Sequence, residues 1–312
     1  MILFIALAIM MGLILPFQTA INSRLRGLVI SPYLASLISF MVGAIYLGFI
    51  TIISGTKLTV PLRLFWENPW WIWIGGILGF SILTINILVF PHLGGVQTAV
   101  LPIVSQIITG LIIDNFGWFD SNQQNLTLIR ILGMIVMLIG VYLAMIISGQ
   151  ILQHKYITRK RQTNKVWPWR LMSLAAGSMM SLQTAINAHL GVVVNSKLHA
   201  SFISFFVGTI MLVLVVLFYD HGISNIKLAF TKKNPWWLWI GGILGGSYVL
   251  ISIAMVPILG TGKVIVLSLL GQVSAGMLID EFGLFGSRKN PIVLIQVIGI
   301  VVMIAGVLLI NA

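Results

Sequence analysis

The sequence predicts an all-α polytopic membrane protein with ten transmembrane helices, built as a 5+5 inverted-topology repeat. Three observations carry that reading. Charge is scarce: of 312 residues 59% are hydrophobic and only 8% charged, where a soluble globular chain carries about 25% charged residues. So few charges cannot cover a water-soluble surface, which excludes a soluble enzyme. The apolar residues also fall in long blocks. Segments 33–56, 69–113, 131–153, 200–219, 234–262 and 290–312 hold no Lys, Arg, Asp or Glu, and a spanning helix needs about 20 such residues. Segments of about 10 residues with alternating polarity, the mark of a β-barrel, do not occur. Finally, the chain is written twice.

Gln18-Thr19-Ala20-Ile21-Asn22 recurs letter for letter as Gln183-Thr184-Ala185-Ile186-Asn187. Ser39-Phe40-x-Val42-Gly43 recurs as Ser204-Phe205-x-Val207-Gly208. The run Asn68-Pro69-Trp70-Trp71-x-Trp73-Ile74-Gly75-Gly76-Ile77-Leu78-Gly79 returns from Asn234 to Gly245. Gln106, Gly110, Asp114 and Gly117 match Gln272, Gly276, Asp280 and Gly283, and Gly133 and Gly140 match Gly299 and Gly306. A register held over a whole half is a tandem duplication, here of a unit of about 145 residues.

Taken in order, the first unit (1–149) places helices near 2–22, 33–54, 70–90, 94–113 and 129–148. The second (169–312) places them near 169–188, 200–219, 235–256, 262–280 and 291–311. Met1 to Leu15 lacks a positive leader region, and no small-residue cleavage site precedes Gln18, so the first helix reads as retained. The Trp-rich runs at Asn68 and Asn234 suit an interfacial aromatic belt, with Pro69 and Pro235 in a first helical turn. Between the units, 150–168 is the only long polar stretch and carries Lys155, Arg159, Lys160, Arg161 and Lys165.

Five spans followed by a non-spanning linker bring the second unit in from the opposite face. The halves are then inverted about a pseudo-twofold axis in the membrane plane. With the basic linker in the cytoplasm, 13 Lys and Arg fall inside (Arg24, Arg26, the five of the linker, Arg170, Lys227, Lys232, Lys233, Arg288, Lys289). Lys57, Arg63, Arg130, Lys197 and Lys263 fall outside. The bias toward a positive interior puts both termini outside a bacterial cytoplasmic (inner) membrane. The same loop bias explains the net charge of +12 without nucleic acid as a partner. Zero cysteines exclude disulfides, thiolate metal sites and a thiol nucleophile. His92, His189 and His199 stand near span ends without metal-ligand grouping. No phosphate-binding loop or His-Glu-x-x-His occurs, so neither a cofactor nor a metal is expected.

The Gln-x-x-x-Asn end of the first helix, the Ser-Phe-x-Val-Gly of the second and the odd-span duplication resemble the YdcZ-like family of the drug/metabolite transporter superfamily, in its fused two-unit form. The resemblance covers the whole chain apart from the linker. It implies an inner-membrane exporter fold and names no cargo. Gly133 with Gly140 and Gly299 with Gly306 place two glycines seven apart, similar to the final helix of small multidrug resistance transporters, which packs two subunits together. Those transporters also carry a glutamate in the first helix. Here the first helix of each unit has no carboxylate, a departure that puts proton-coupled cation export in doubt.

The candidate site residues are mostly intramembrane amides. Gln18 and Asn22 are four apart and share a helix face, as do Gln183 and Asn187. Polar side chains inside a span face the bundle interior or a cavity, and amides both donate and accept, which suits a neutral polar or zwitterionic solute. Two structural readings stand beside cavity lining: interhelical glue worth about 1 kcal/mol, and capping of the helix end. Gln106 and Gln272 sit mid-span in the fourth helices, where Pro102 is expected to interrupt the first-unit helix. Asn86, matched by Ser252, is a further mid-span amide. Lys263 begins the ninth helix, either holding an anionic solute or snorkelling. Asp114 and Asp280 end the fourth helices, where a negative charge opposes the helix dipole. They read as starting the turns before Gly117 and Gly283, with an ion relay as the functional alternative. Gly133, Gly140, Gly299 and Gly306 read as packing the two fifth helices together.

The whole describes a secondary transporter in the lipid bilayer, exporting a small polar or drug-like solute by alternating access. A passive channel and a non-transporting partner subunit are the rivals. No acid, base, metal or nucleophile stands placed for catalysis within the membrane, so an enzyme is not expected. One chain supplies both halves, so a monomer suffices.

Overall fold

The computed structural model describes residues 2–147, 166–220, 222–230, 234–286, 289 and 291–311. Most of the basic linker (150–165) and the side chain of His92 lie outside the described residues. The long helices are α1 (Ile2–Val29), α2 (Pro32–Ile53), α3 (Gly75–Phe116), α4 (Leu128–Val141), α5 (Trp167–Val193), α6 (Lys197–Val215), α7 (Ile240–Leu259), α8 (Thr261–Phe282) and α9 (Leu294–Asn311). Local chemistry fixes their ends. Ser31, Thr127 and Ser196 accept a hydrogen bond from the backbone three residues on, capping α2, α4 and α6. Gly117 (φ 63°) and Gly283 (φ 61°) close α3 and α8 in the left-handed conformation, which glycine adopts without steric cost. The Trp runs form short 3-10 turns, Trp70–Trp73 and Trp236–Trp239, ahead of α3 and α7.

One expectation is corrected. Segments 70–90 and 94–113 do not form two separate helices: 42 residues run as the single element α3. That element is nonetheless bent. A straight helix would set Gly79 and Pro102 about 35 Å apart. Instead the Cβ position of Gly79 lies 2.5 Å from Gln183 Nε2, and that of Gly177 meets the Pro102 carbonyl. Both contacts are on α5, six residues apart, or about 9 Å along its axis. Pro91, Gly94 and Gly95 lie between the two arms, and prolines and glycines are where helices bend. In the second half the corresponding place is a true break: Gly260, at φ +88°, separates α7 from α8. Pro102 does not interrupt the helix either, since α3 runs through it unbroken.

Among the described residues, five helical stretches are long and apolar enough to cross a membrane: Leu3–Val29, Pro32–Ile53, Lys197–Asp220, Trp236–Leu259 and Thr261–Phe282. Shorter apolar helices cover Gly75–Asn86, Leu101–Phe116, Leu128–Ala144 and Leu294–Ile310. The packing comes in pairs across the duplication. α1 lies against α7 and α8, and α5 against α3. α2 packs on α6, and α4 on α9. The buried interior is aliphatic (Leu34, Ile38, Leu47, Leu212, Ile253, Leu267), while Phe49, Phe206 and Val301 are exposed. Apolar side chains facing outward suit lipid.

Candidate functional site

The duplicated motifs meet one another across the two halves. Phe40 and Phe205 stack face to face at 4.8 Å between ring centroids. Each ring covers the other half's glycine: Phe205 lies on Gly43 and Phe40 on Gly208. Gly76 sits against the backbone of Ser204 and Gly208, and Gly242 against that of Ser39 and Gly43. The helices approach so closely that only glycine fits, because a Cβ at either position would collide with backbone. Ser-Phe-x-Val-Gly and the glycine run after the tryptophans are thus two sides of one interlock, made twice. The sequence reading left the serine–phenylalanine motif without a contact. Its near-identity in both halves was the available signal.

The amides belong to the same interlock. Gln183 and Asn187 of α5 lie against Gly79 and Gly75 of α3. Gln18 and Asn22 of α1 lie against Gly245 and Gly241 at the start of α7. Asn22 is 2% exposed, and both its Oδ1 and Nδ2 make no hydrogen bond. Asn187 is 1% exposed with Oδ1 unpaired. A buried amide atom without a partner costs about 1–3 kcal/mol, so its presence calls for an explanation.

The other candidates divide. Gln106 is buried with Nε2 unpaired, and its carbonyl accepts Ser181 Oγ at 2.7 Å. Thr109 Oγ1 donates to Ser178 Oγ at 3.0 Å beside it. Gln272 is half-buried and donates to Ser268 Oγ at 3.3 Å. Asn86 has a buried, unpaired Oδ1, as Thr84 has an unpaired hydroxyl. Gly133 and Gly140 on α4 face the carbonyls of Gly306 and Gly299 on α9, with Cβ positions 2.9 and 2.7 Å away.

Asp114 does more than start a turn. Gly117 N–H does donate to its carbonyl, but the carboxylate is 1% exposed. Its Oδ1 and Oδ2 accept the N–H groups of Thr261 and Gly262, each at 2.8 Å. It caps the first turn of α8, 147 residues away, where a negative charge complements the helix dipole. Lys263 is half-buried in that same turn. Asp280 is exposed instead.

The loop after Asp114 forms one mouth of the molecule. Asn122 Nδ2 donates to the Pro257 carbonyl at 2.8 Å, and Gln124 Nε2 to that of Leu259 at 3.0 Å. Ser121 and Thr261 share a hydroxyl contact at 3.0 Å. Asp120, 81% exposed, pairs with His189 Nδ1 at 3.2 Å. Trp71 packs on both His189 and Phe119. A cleft of about 250 Å³ lies here, lined by Phe119, Ser121, Ala185, Ala188, Val192 and Val256 among others. Among the described residues no group of His, Cys, Asp and Glu is placed to hold a metal.

A helical bundle with an apolar exterior, built on a duplicated interlock, defines a multi-pass membrane protein. The comparisons agree. The family described as "Putative inner membrane exporter, YdcZ" matches twice, over residues 3–143 and 168–309. The chain therefore belongs to that family and is a multi-pass inner-membrane protein. A solved structure described only as "Crystal structure of protein" shares the fold at a TM-score of 0.64 and 14% identity, covering 98% of this chain and 94% of its own. No curated protein matches.

Proposed function

We propose that the protein is a ten-span secondary transporter with inverted halves, exporting a small neutral or zwitterionic polar solute by alternating access. The nine apolar stretches and α5 supply the ten segments. The observation that carries the solute site is the set of unpaired amide atoms on Asn22 and Asn187, set at equivalent crossings of the two halves. A solute with donors and acceptors would satisfy them once a mouth opens.

Contacts between the halves support the inversion. Charge counting assigns each loop to a face, and the contacts below join loops of the same face. Ser31 donates to Asp220 at 2.6 Å on the inner side. His199 meets the Leu58 carbonyl at 3.1 Å, Asp120 pairs with His189, and Asn122 reaches Pro257 on the outer side.

The test is a thermal-shift screen of purified protein against polar metabolites and antimicrobials, with wild type beside the double variant Asn22→Ala/Asn187→Ala. A ligand at 100 times its Kd stabilises the folded state by about 2.7 kcal/mol. The reading expects a compound that raises the wild-type melting temperature and leaves a folded variant unmoved. A compound that shifts both equally places the site away from the amides.

A further inference from the structure

The two mouths share a ring contact, Trp71 on Phe119 and Trp237 on Phe285, and differ at other described positions. The 114–124 segment of the first half is tied to the second by six polar contacts. These are the two N–H bonds to Asp114, the side-chain bonds of Asn122 and Gln124 to the Pro257 and Leu259 carbonyls, the Ser121–Thr261 hydroxyl pair and the contact of the Asp120 carboxylate with the His189 ring. Four of the six converge on residues 259–262, where Gly260 breaks the chain between α7 and α8.

At the opposite mouth the 166-residue offset puts Gly286 in place of Asp120, while Arg24 corresponds to His189, so no such side-chain contact forms from these positions. Gly95 stands where Thr261 stands, which removes the hydroxyl pair. Asp280 is exposed where Asp114 is buried.

The backbone adds an independent sign. Asp120 holds φ +54°, next to Phe119 at φ +60°. The second half reaches the same turn with Phe285 at φ +57° and Gly286 at φ +79°. Glycine takes this conformation freely and aspartate does so at a cost. A carboxylate kept where the twin position has glycine marks a strained residue held for its contact.

We infer that segment 114–124 is the outer gate of the transporter, latched shut onto the α7–α8 break and α5, and that the protein rests closed to the outside. The inference rests on the proposed inverted, alternating-access reading and names the resting state of that cycle. Such a state suits an exporter, which loads cargo from within. Asp114 positions the gate by capping α8, and Asn122, Gln124, Ser121 and Asp120 fasten it.

The natural chain has no cysteine, so a single thiol reports cleanly. Ala188 lines the cleft under the gate and is 4% exposed. Ala188→Cys would be reacted with a membrane-impermeant maleimide in right-side-out vesicles, alone and combined with Asn122→Ala/Gln124→Ala or with Asp114→Asn. Losing the two bonds to the Pro257 and Leu259 carbonyls, with the Arg130 contact that Gln124 Oε1 also accepts, moves a closed–open equilibrium by about ten-fold or more. The gate variants should label about ten-fold faster while still folded, as read by a cooperative melting transition. The mirrored Arg288→Ala/Asn290→Ala pair should leave the rate within about two-fold, the scale of indirect effects. Should Asp114→Asn fail to fold, the pair Asn122→Ala/Gln124→Ala decides alone. An unchanged rate in that folded pair overturns the gate, as does an equal rise in the mirrored pair. Labelling needs no solute, so it fails or succeeds independently of the amide site.

Discussion

The helix crossings of the molecule and its mouths have diverged to different extents. At the crossings, Gly76 on Ser204–Gly208 and Gly242 on Ser39–Gly43 are copies of one another, as are Phe205 on Gly43 and Phe40 on Gly208. At the mouths, Asp120 faces His189 where Gly286 stands near Arg24. The physical reason lies in tolerance. A backbone-to-backbone crossing admits one residue type, so both copies keep it. A loop at the water boundary admits many, and its bonds can be made on one side and dropped on the other. Identity between the halves therefore marks the crossings and the amides set in them, and difference marks where the two faces have separate tasks.

The comparison can be broken most severely at the crossings. Gly76→Ala and Gly242→Ala each drive a methyl into backbone and should each cost about 3 kcal/mol, read as a loss of melting temperature in detergent. Gly27→Ala and Gly276→Ala, where a Cβ meets nothing within 4 Å, should be neutral or gain up to about 1 kcal/mol from helix propensity. A large difference between Gly76→Ala and Gly242→Ala would contradict the twofold reading. Next in size are Gly133→Ala and Gly306→Ala on the α4–α9 seam, expected to cost about 2 kcal/mol each and less than additively together, because they share one contact. Phe40→Leu and Phe205→Leu should each cost about 1 kcal/mol by losing the stacked pair. The smallest effect sharpens the contrast at the mouth. Asp120→Gly gives up an exposed contact with the His189 ring and relieves a left-handed aspartate, so stability stays within about 1 kcal/mol, while labelling of Ala188→Cys should rise.

Much of this was legible in the sequence. Charge-free blocks and the 165-residue offset gave the membrane class, and the amides stood out as polar groups inside apolar runs. The meeting of Gln18 with Gly245 and of Gln183 with Gly79 was not legible, since a contact between halves leaves no local period. Asp114 pointed only to its own turn, because its carboxylate partners are backbone N–H groups 147 residues on. The joining of 70–90 to 94–113 was hidden as well. Pro91, Gly94 and Gly95 read as a loop, yet a helix can bend there without ending.

Everything here turns on the halves being inverted while one interlock binds them. Single cysteines at Asn125 and at its second-half equivalent Pro291, both exposed, test that directly with an impermeant maleimide in right-side-out and inside-out vesicles. The account predicts that Asn125→Cys labels only in right-side-out vesicles and Pro291→Cys only in inside-out ones. Labelling of both from the same side would contradict it.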